Sequence, residues 1–344
     1  MIKISNSLKI GKKYSPKIIA EISGNHCGSK SNFLKLIKSA CLNGADLIKI
    51  QTYEPKDITL NKRNSNFKIK SGIWKGKFLW DLYKKAHTPF SWHKEAFKLA
   101  AKYNKIIFSS PFSIRAVDLL EQLNCKIYKI ASFEITDFKL IDYIASKKKP
   151  IILSTGMASQ KEIKNAISLI NKYHKNIILL HCVSSYPTDL TDINLEKINR
   201  LKKKYKGTMI GLSDHTNDII SSIASIPYNV VAIEKHFKLN DKTKSEDSSF
   251  SITPEKLRLL KTSSEKLFIS QKKINLNSEK ISKKLRRSIY ARENIGKNEK
   301  ISLKNIDTFR PFVGICSSKF FKILGKKSKK NIKKGDPIFH KDII

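Results

Sequence analysis

The sequence predicts an α/β fold, a (β/α)8 TIM barrel followed by a small C-terminal domain. Three observations carry that reading. Short apolar, β-rich runs alternate with amphipathic helical windows through the first 270 residues. The runs are apolar throughout rather than at every second position, the pattern of parallel strands covered on both faces. Each run then breaks into polar residues, as barrel strands do where their C-terminal ends carry a site. A doubly wound sheet is the alternative built from the same alternation.

In chain order the strand runs are KIIAEI (17–22), ADLIKIQTY (45–53), KIIFSSPF (105–112) and KIYKIAS (126–132). PIILSTG (150–156), NIILLHCVSSYP (176–187), GTMIGLSDH (207–215) and VVAIEKHF (230–237) complete the eight. Helical windows between and after them include SNFLKLIKSACLNG (31–44), RAVDLLEQLN (115–124), KEIKNAISLINKYH (161–174) and PEKLRLLKTSSEKLFI (254–269). The first run ends in Glu21, Asn25 and His26, the second in Lys49 and Gln51, and the third in Ser109 and Ser110. The fourth ends in Lys129, Ser132 and Glu134; the next two supply Ser154, Thr155, Ser184 and Tyr186. The last two supply Ser213, Asp214, His215, Glu234, Lys235 and His236. A serine at a single strand end is the ordinary N-cap of the next helix. Polar residues at every strand end exceed what capping requires.

After residue 270 the rhythm changes. SQKKINLNSEKISKKLRR (270–287) is polar and charged, so the domains read as a barrel over 1–270, a linker over 271–286 and a small domain over 287–344. Within the last, ENIGKNEKIS and KNIKKGDPIF follow one pattern and predict a pseudo-repeat.

Apolar residues make up 40% of the 344, enough for a core of this size. No apolar run approaches the 18 residues of a membrane span, and the N-terminal stretch lacks a signal-peptide core, so a cytoplasmic location is expected. The five cysteines (27, 41, 125, 182 and 316) are odd in number and form no CxxC, which fits reduced thiols. Net charge is +39, yet 60 of the 68 basic residues are lysine and they are spread evenly. A nucleic-acid binder would cluster its charge and favour arginine. The lysines therefore read as solvated faces whose field steers anionic substrates, with neither nucleic acid nor membrane as a partner.

Two features sharpen the chemistry. Lys49 and Lys129 sit inside otherwise apolar strands, LIKIQ and YKIAS, where a lysine is costly unless it meets an anion. With hydroxyls at neighbouring strand ends, they predict a pocket for a small polyanion such as a phosphorylated carboxylic acid. Pairing with Glu21 or Glu134 is the alternative. His215 and His236 end adjacent strands about 4.8 Å apart, so both imidazoles could share one divalent ion at about 2.1 Å. Such mixed imidazole and oxygen ligation leaves the ion unidentified.

Read together, these residues resemble the sialic acid synthase family. The resemblance runs through IIAEISGNHCG (18–28), GADLIKIQTY (44–53), SSPF (109–112), YKIASFEITD (128–137) and ILSTGMAS (152–159). It continues through HCVSSYPT (181–188), GLSDHT (211–216) and IEKHF (233–237) into an antifreeze-like (SAF) domain with RRSIYARENIGKNE and FRPFVG. GIWKGKFLWDLYKKAHTPFSWH (72–93) and SGNH (23–26) resemble the pseudaminic acid synthase branch. Trp74, Trp80, Tyr83 and Trp92 in that segment would suit a deoxy, acetylated sugar; an extra packing helix is the plainer reading.

The resemblance implies a condensation of phosphoenolpyruvate with an amino-sugar aldehyde. Lys49, Lys129, Ser132, Ser154, Ser184 and Ser213 would hold phosphoenolpyruvate, and His215 and His236 a divalent metal, Mn2+ or Mg2+. Glu21 would position or help deprotonate a reacting hydroxyl or water. Gln51, Tyr186 and Asp247 would bind the sugar, joined by Arg310 from the partner subunit of a domain-swapped homodimer. Three departures stand out: Phe312 where glycine is usual, Cys27 where asparagine is common, and KSEDSSFS (244–251) where the family often carries GPD.

Overall fold

The computed structural model describes residues 1–6, 8–271 and 277–344. They form two compact units, Met1–Lys272 and Lys273–Ile344. The boundary between them falls inside the stretch 271–286 read above as a linker, of which residues 272–276 lie outside the described residues.

The first unit opens with a hairpin, β1 (Ile2–Lys3) and β2 (Lys9–Ile10), whose isoleucines join the main core. Eight of the described strands then close a parallel barrel. They are β3 (Lys17–Glu21), β4 (Leu47–Thr52), β5 (Ile106–Pro111), β6 (Tyr128–Ile130), β7 (Ile151–Ser154), β8 (Ile177–Cys182), β9 (Met209–Asp214) and β10 (Ala232–His236). Each lies inside a strand run read from the sequence. Ring closure runs from β10 to β3. Gly211 is required where β9 passes β10, since a Cβ there would stand 2.5 Å from the Ala232 carbonyl oxygen.

The crossovers carry α1 (Lys30–Leu42), α2 (Pro55–Ile58), α3 (Leu79–Ala86), α4 (Phe90–Lys102), α5 (Ile114–Gln122) and α6 (Phe138–Ser146). α7 (Gln160–Ile170), α8 (Glu196–Lys204), α9 (Ile220–Ala224) and α10 (Pro254–Ser270) follow. Local chemistry starts several of them: Ser29, Ser113 and Asp137 cap α1, α5 and α6, and Ser159 with Glu162 forms a capping box on α7. Their apolar stripes cover the strands, so the barrel's leucines and all its isoleucines but the half-buried Ile106 are almost fully buried. The exceptional crossover joins β4 to β5. It holds α2, α3 and α4, and its residues 68 and 78 bridge antiparallel to make a strap.

In the second unit, α11 (Asn277–Lys283) precedes β11 (Ser288–Ala291), which pairs antiparallel with β12 (Ile306–Phe309); α12 (Phe320–Ile323) follows. The sequence repeat is also a structural one. Ile295 and Ile332 exchange backbone hydrogen bonds of 2.9 Å in both directions. Asn331 Oδ1 accepts from Lys297 N at 2.8 Å, and its counterpart Asn294 Oδ1 accepts from Lys334 N at 2.9 Å.

Candidate active site

Strand alternation sorts the polar ends into two sets. Ser213, His215, Glu234 and His236 belong to one face. Asp214 and Lys235 belong to the other, where they form their own buried pair at 3.2 Å. Ser221 and Ser222 donate to Asp214, and Lys235 donates to the Thr216 carbonyl. Asp214, Thr216 and Lys235 of GLSDHT and IEKHF are therefore structural.

Barrel register brings the first set together. His236 pairs with Glu21 and Glu21 with Lys49, while Glu234 pairs with Ser213. Lys49 Nζ stands 2.8 Å from Glu21 Oε2 and 3.1 Å from Glu234 Oε1. Lys129 Nζ donates to both oxygens of Glu234, at 2.9 and 2.8 Å. The two lysines are thus not bare cations awaiting a ligand, and the partner of Lys129 is Glu234 rather than Glu134. An isolated buried ammonium costs several kcal/mol, and the carboxylates remove that cost. Each ammonium has three donors and spends two here, which leaves one apiece for an anion.

The electrostatics follow from burial and these pairings. Burial pushes Glu21 above its ordinary value despite the opposing pull of Lys49. Burial works the same way on Glu234, but Lys129 and Lys49 outweigh it and bring that carboxyl down to about 2. Burial lowers Lys129 even against Glu234.

Hydroxyls border the pair of lysines. Ser132 Oγ accepts from Gly156 N at 3.1 Å. A Cβ on Gly156 would stand 2.8 Å from that oxygen and 2.1 Å from Ser184 Oγ, so glycine keeps this cradle open. The buried hydroxyls of Ser110 and Ser154 find no partner in the protein. Orphaned buried polar groups cost about 1–3 kcal/mol each, and a polar ligand removes the cost.

From Lys49 a chain of contacts leads outward. Gln51 Nε2 donates to Glu21 Oε1 and to Ser23 Oγ, both at 3.0 Å. Ser23 in turn donates to Asp247, which also accepts from Gly24 N at 3.1 Å. Lys49, Glu21, Gln51 and Asp247 therefore share one network. Arg310 lies in the second unit, exposed, directly after β12.

The two imidazoles are neighbours, their ring centroids 5.3 Å apart. His215 Nδ1 lies 3.0 Å from the Val183 carbonyl oxygen, which makes that nitrogen the protonated one and frees Nε2. His236 Nδ1 is buried without a hydrogen-bond partner. Burial, then the neighbouring His215, hold His236 well below its ordinary value and so neutral. Among the described residues no cluster of three or more His, Cys, Asp or Glu forms a closed metal site. Burial lowers His215, but the neighbouring Cys182 outweighs it and raises that imidazole above its ordinary value. Two imidazoles on adjacent strands fit an open site, with its remaining positions left for water and substrate.

Aromatic rings wall the imidazoles. Tyr186 lies 4.4 Å from His215, Phe250 lies 4.8 Å from His236, and Trp74 packs 5.7 Å from Tyr186. Of the four aromatics singled out in the 72–93 segment, Trp74 joins this wall. Trp92 instead packs against His26 and Phe33, because α4 turns it toward α1. Tyr83 packs on Tyr53. Sequence reading missed Phe250 and the double clamp of Glu234. The first carries no sequence signal, whereas the second was legible as an inward position two residues before His236.

The chain resembles known proteins over most of its length. Residues 36–275 match the NeuB family, and residues 286–344 match the SAF domain. The chain belongs to the NeuB family. This NeuB-family chain is 38% identical to a pseudaminic acid synthase of Helicobacter pylori, covering 95% of this chain and 98% of the relative. It is 35% identical to an N,N'-diacetyllegionaminic acid synthase of Campylobacter jejuni, covering 93% and 98%. An N-acetylneuraminic acid synthetase of Leptospira borgpetersenii, solved with citrate, superposes with a TM-score of 0.72 at 30% identity. That superposition covers 81% of this chain and 94% of the other.

Proposed function

We propose that this chain condenses phosphoenolpyruvate with 2,4-diacetamido-2,4,6-trideoxy-L-altrose and water, giving pseudaminic acid and phosphate. The observation that carries this reading is one barrel mouth in which paired Lys49 and Lys129, orphaned hydroxyls and two neighbouring imidazoles converge. Similarity to pseudaminic acid synthases over nearly the whole chain selects the sugar.

Lys49 and Lys129 each direct their remaining proton at the phosphate or carboxylate of phosphoenolpyruvate. Ser132, Ser154, Ser184 and Ser213 surround it with hydroxyl donors. Preorganised donors of this kind hold developing charge without reorganising during the reaction. The methylene carbon of phosphoenolpyruvate bonds to the aldehyde carbon of the open-chain sugar, whose oxygen takes up a proton. Water then adds at the former enol carbon. Glu21, raised by burial and held by Gln51, is placed to accept the water's proton. Cleavage of the carbon–oxygen bond to phosphate leaves the 2-keto acid. His215 and His236 would hold a divalent cation, which when bound supplies Lewis-acid polarisation of the aldehyde oxygen. Gln51, Tyr186 and Asp247 form the sugar side. The proposal extends to a cytoplasmic homodimer in which Arg310 serves the sugar subsite of the partner subunit.

A substrate panel tests the reading. Purified protein is supplied with phosphoenolpyruvate, Mn2+ or Mg2+, and each candidate amino sugar, and phosphate release is measured. Turnover of the trideoxy diacetamido sugar is expected. Turnover confined to N-acetylmannosamine or to the legionaminic acid precursor would assign the chain to a different sugar.

A further inference from the structure

The strap of the long β4–β5 crossover is clasped to the segment after β10 through Glu246. Lys77 Nζ and Lys85 Nζ stand 3.2 and 2.9 Å from the same oxygen, Oε1 of Glu246. The Trp74 indole nitrogen donates to the backbone carbonyl of Glu246 at 3.0 Å. Glu246 is buried, whereas both lysines are exposed, so the strap's cations reach in to a fixed carboxylate. The next residue, Asp247, is tied to Ser23 and Gly24 at the end of β3. The clasp thereby joins the strap directly to the network containing Glu21 and Gln51.

What the clasp holds in place is an aromatic surface. Phe250 is buried as a floor, 5.2 Å from Tyr186 and 6.4 Å from Trp74. Trp74 and Tyr186 are only partly buried, and their rings meet at a 41° tilt. A surface of this kind, beside two imidazoles, favours carbon-bound hydrogen over hydroxyl on whatever lies against it. The same location explains the departure at KSEDSSFS, since a residue without a carboxylate before Asp247 could not hold Lys77 and Lys85.

Resting on the condensation proposed above, we propose that Trp74 determines specificity for an amino sugar whose outer edge carries methyl groups instead of hydroxyls. Glu246 is its positioning residue. The added contact is apolar, so its effect falls on sugar binding and leaves phosphoenolpyruvate untouched.

The test compares wild type, Trp74→Ala, Trp74→Phe and Glu246→Gln on the trideoxy diacetamido sugar and on its 6-hydroxy counterpart, measuring KM for each substrate. A hydrophobic contact of one methyl group is worth about 10- to 200-fold in kcat/KM. Wild type is expected to prefer the deoxy sugar by at least about tenfold. Trp74→Ala reduces that preference to below about threefold, mainly through the sugar KM, with KM for phosphoenolpyruvate constant. Trp74→Phe keeps most of the preference, and Glu246→Gln gives a partial rise in sugar KM. If Trp74→Ala fails to fold, as judged by its thermal melt, Glu246→Gln decides: an unchanged sugar KM overturns the proposal. An active wild type whose preference survives Trp74→Ala overturns this inference alone. A wild type that releases no phosphate with any amino sugar overturns the functional reading and this inference with it.

Discussion

Both carboxylate oxygens of Glu234 face the ammonium of Lys129, at 2.9 and 2.8 Å, with each side chain buried. The same carboxylate also holds Lys49 at 3.1 Å. Removing one partner of a buried pair leaves an uncompensated charge, which costs about 3–5 kcal/mol. Glu234→Gln is therefore expected to lower unfolding free energy by about that amount in urea titrations. Glu234→Leu combined with Lys129→Met should recover much of the stability but none of the turnover. A loss below about 1 kcal/mol in the single variant would show that the clamp does not carry the pair.

Gly156 supports a second prediction, one of shape. A methyl group there meets Ser184 Oγ at 2.1 Å and Ser132 Oγ at 2.8 Å, closer than side chains approach. Gly156→Ala should displace both hydroxyls and raise KM for phosphoenolpyruvate by about 10- to 100-fold, the scale of about one lost hydrogen bond to a charged ligand. KM for the sugar and the melting temperature should change little. Equal loss in both KM values would mean that the cradle does not serve phosphoenolpyruvate.

The barrel was readable in advance because parallel strands buried on both faces produce uninterrupted apolar runs, and all eight runs became strands. Its site was only half readable. Period-two alternation could have separated Asp214 and Lys235 from Ser213 and Glu234, since the two sets point to opposite faces. Partner choice could not be read the same way. Lys129 and Glu234 are 105 residues apart and meet only because the sheet closes into a ring. Trp74 and Trp92 look alike in sequence, yet one sits on an irregular strap and the other on a helix facing the core. Local pattern carries no information about that difference.

The open imidazole pair predicts metal binding through two residues. Wild type should take up one Mn2+ per chain in a calorimetric or paramagnetic titration. His236→Ala and His215→Ala should each weaken that uptake by at least about 100-fold, the loss of one of two protein ligands. Binding that survives both substitutions would place the ion elsewhere. A folded-state control is the thermal melt without metal, which should shift little in either variant.

Glu134 supplies a pH-dependent prediction. It lies in the turn after β6, its Oε2 is buried without a hydrogen-bond partner, and burial raises its carboxyl from 4.5 to about 7. The folded protein therefore holds this proton where the unfolded chain has lost it. The stabilisation is complete below pH 4.5 and lost as pH rises through about 7. At about 1.4 kcal/mol per pH unit, the cost above pH 7 is at most about 3.5 kcal/mol. Glu134→Gln removes the titration, so it should be more stable than wild type at pH 8 and equal to it near pH 4.5. His26 and His93, both lowered by burial to about 4, slope the other way, losing stability as pH falls from 6.5. They are common to both proteins and cancel in the difference. Urea unfolding of the two proteins at half-unit pH steps gives the curve directly. A difference that does not vary between pH 4.5 and 8 would mean that Glu134 is ionised throughout, and its buried oxygen would then require a donor.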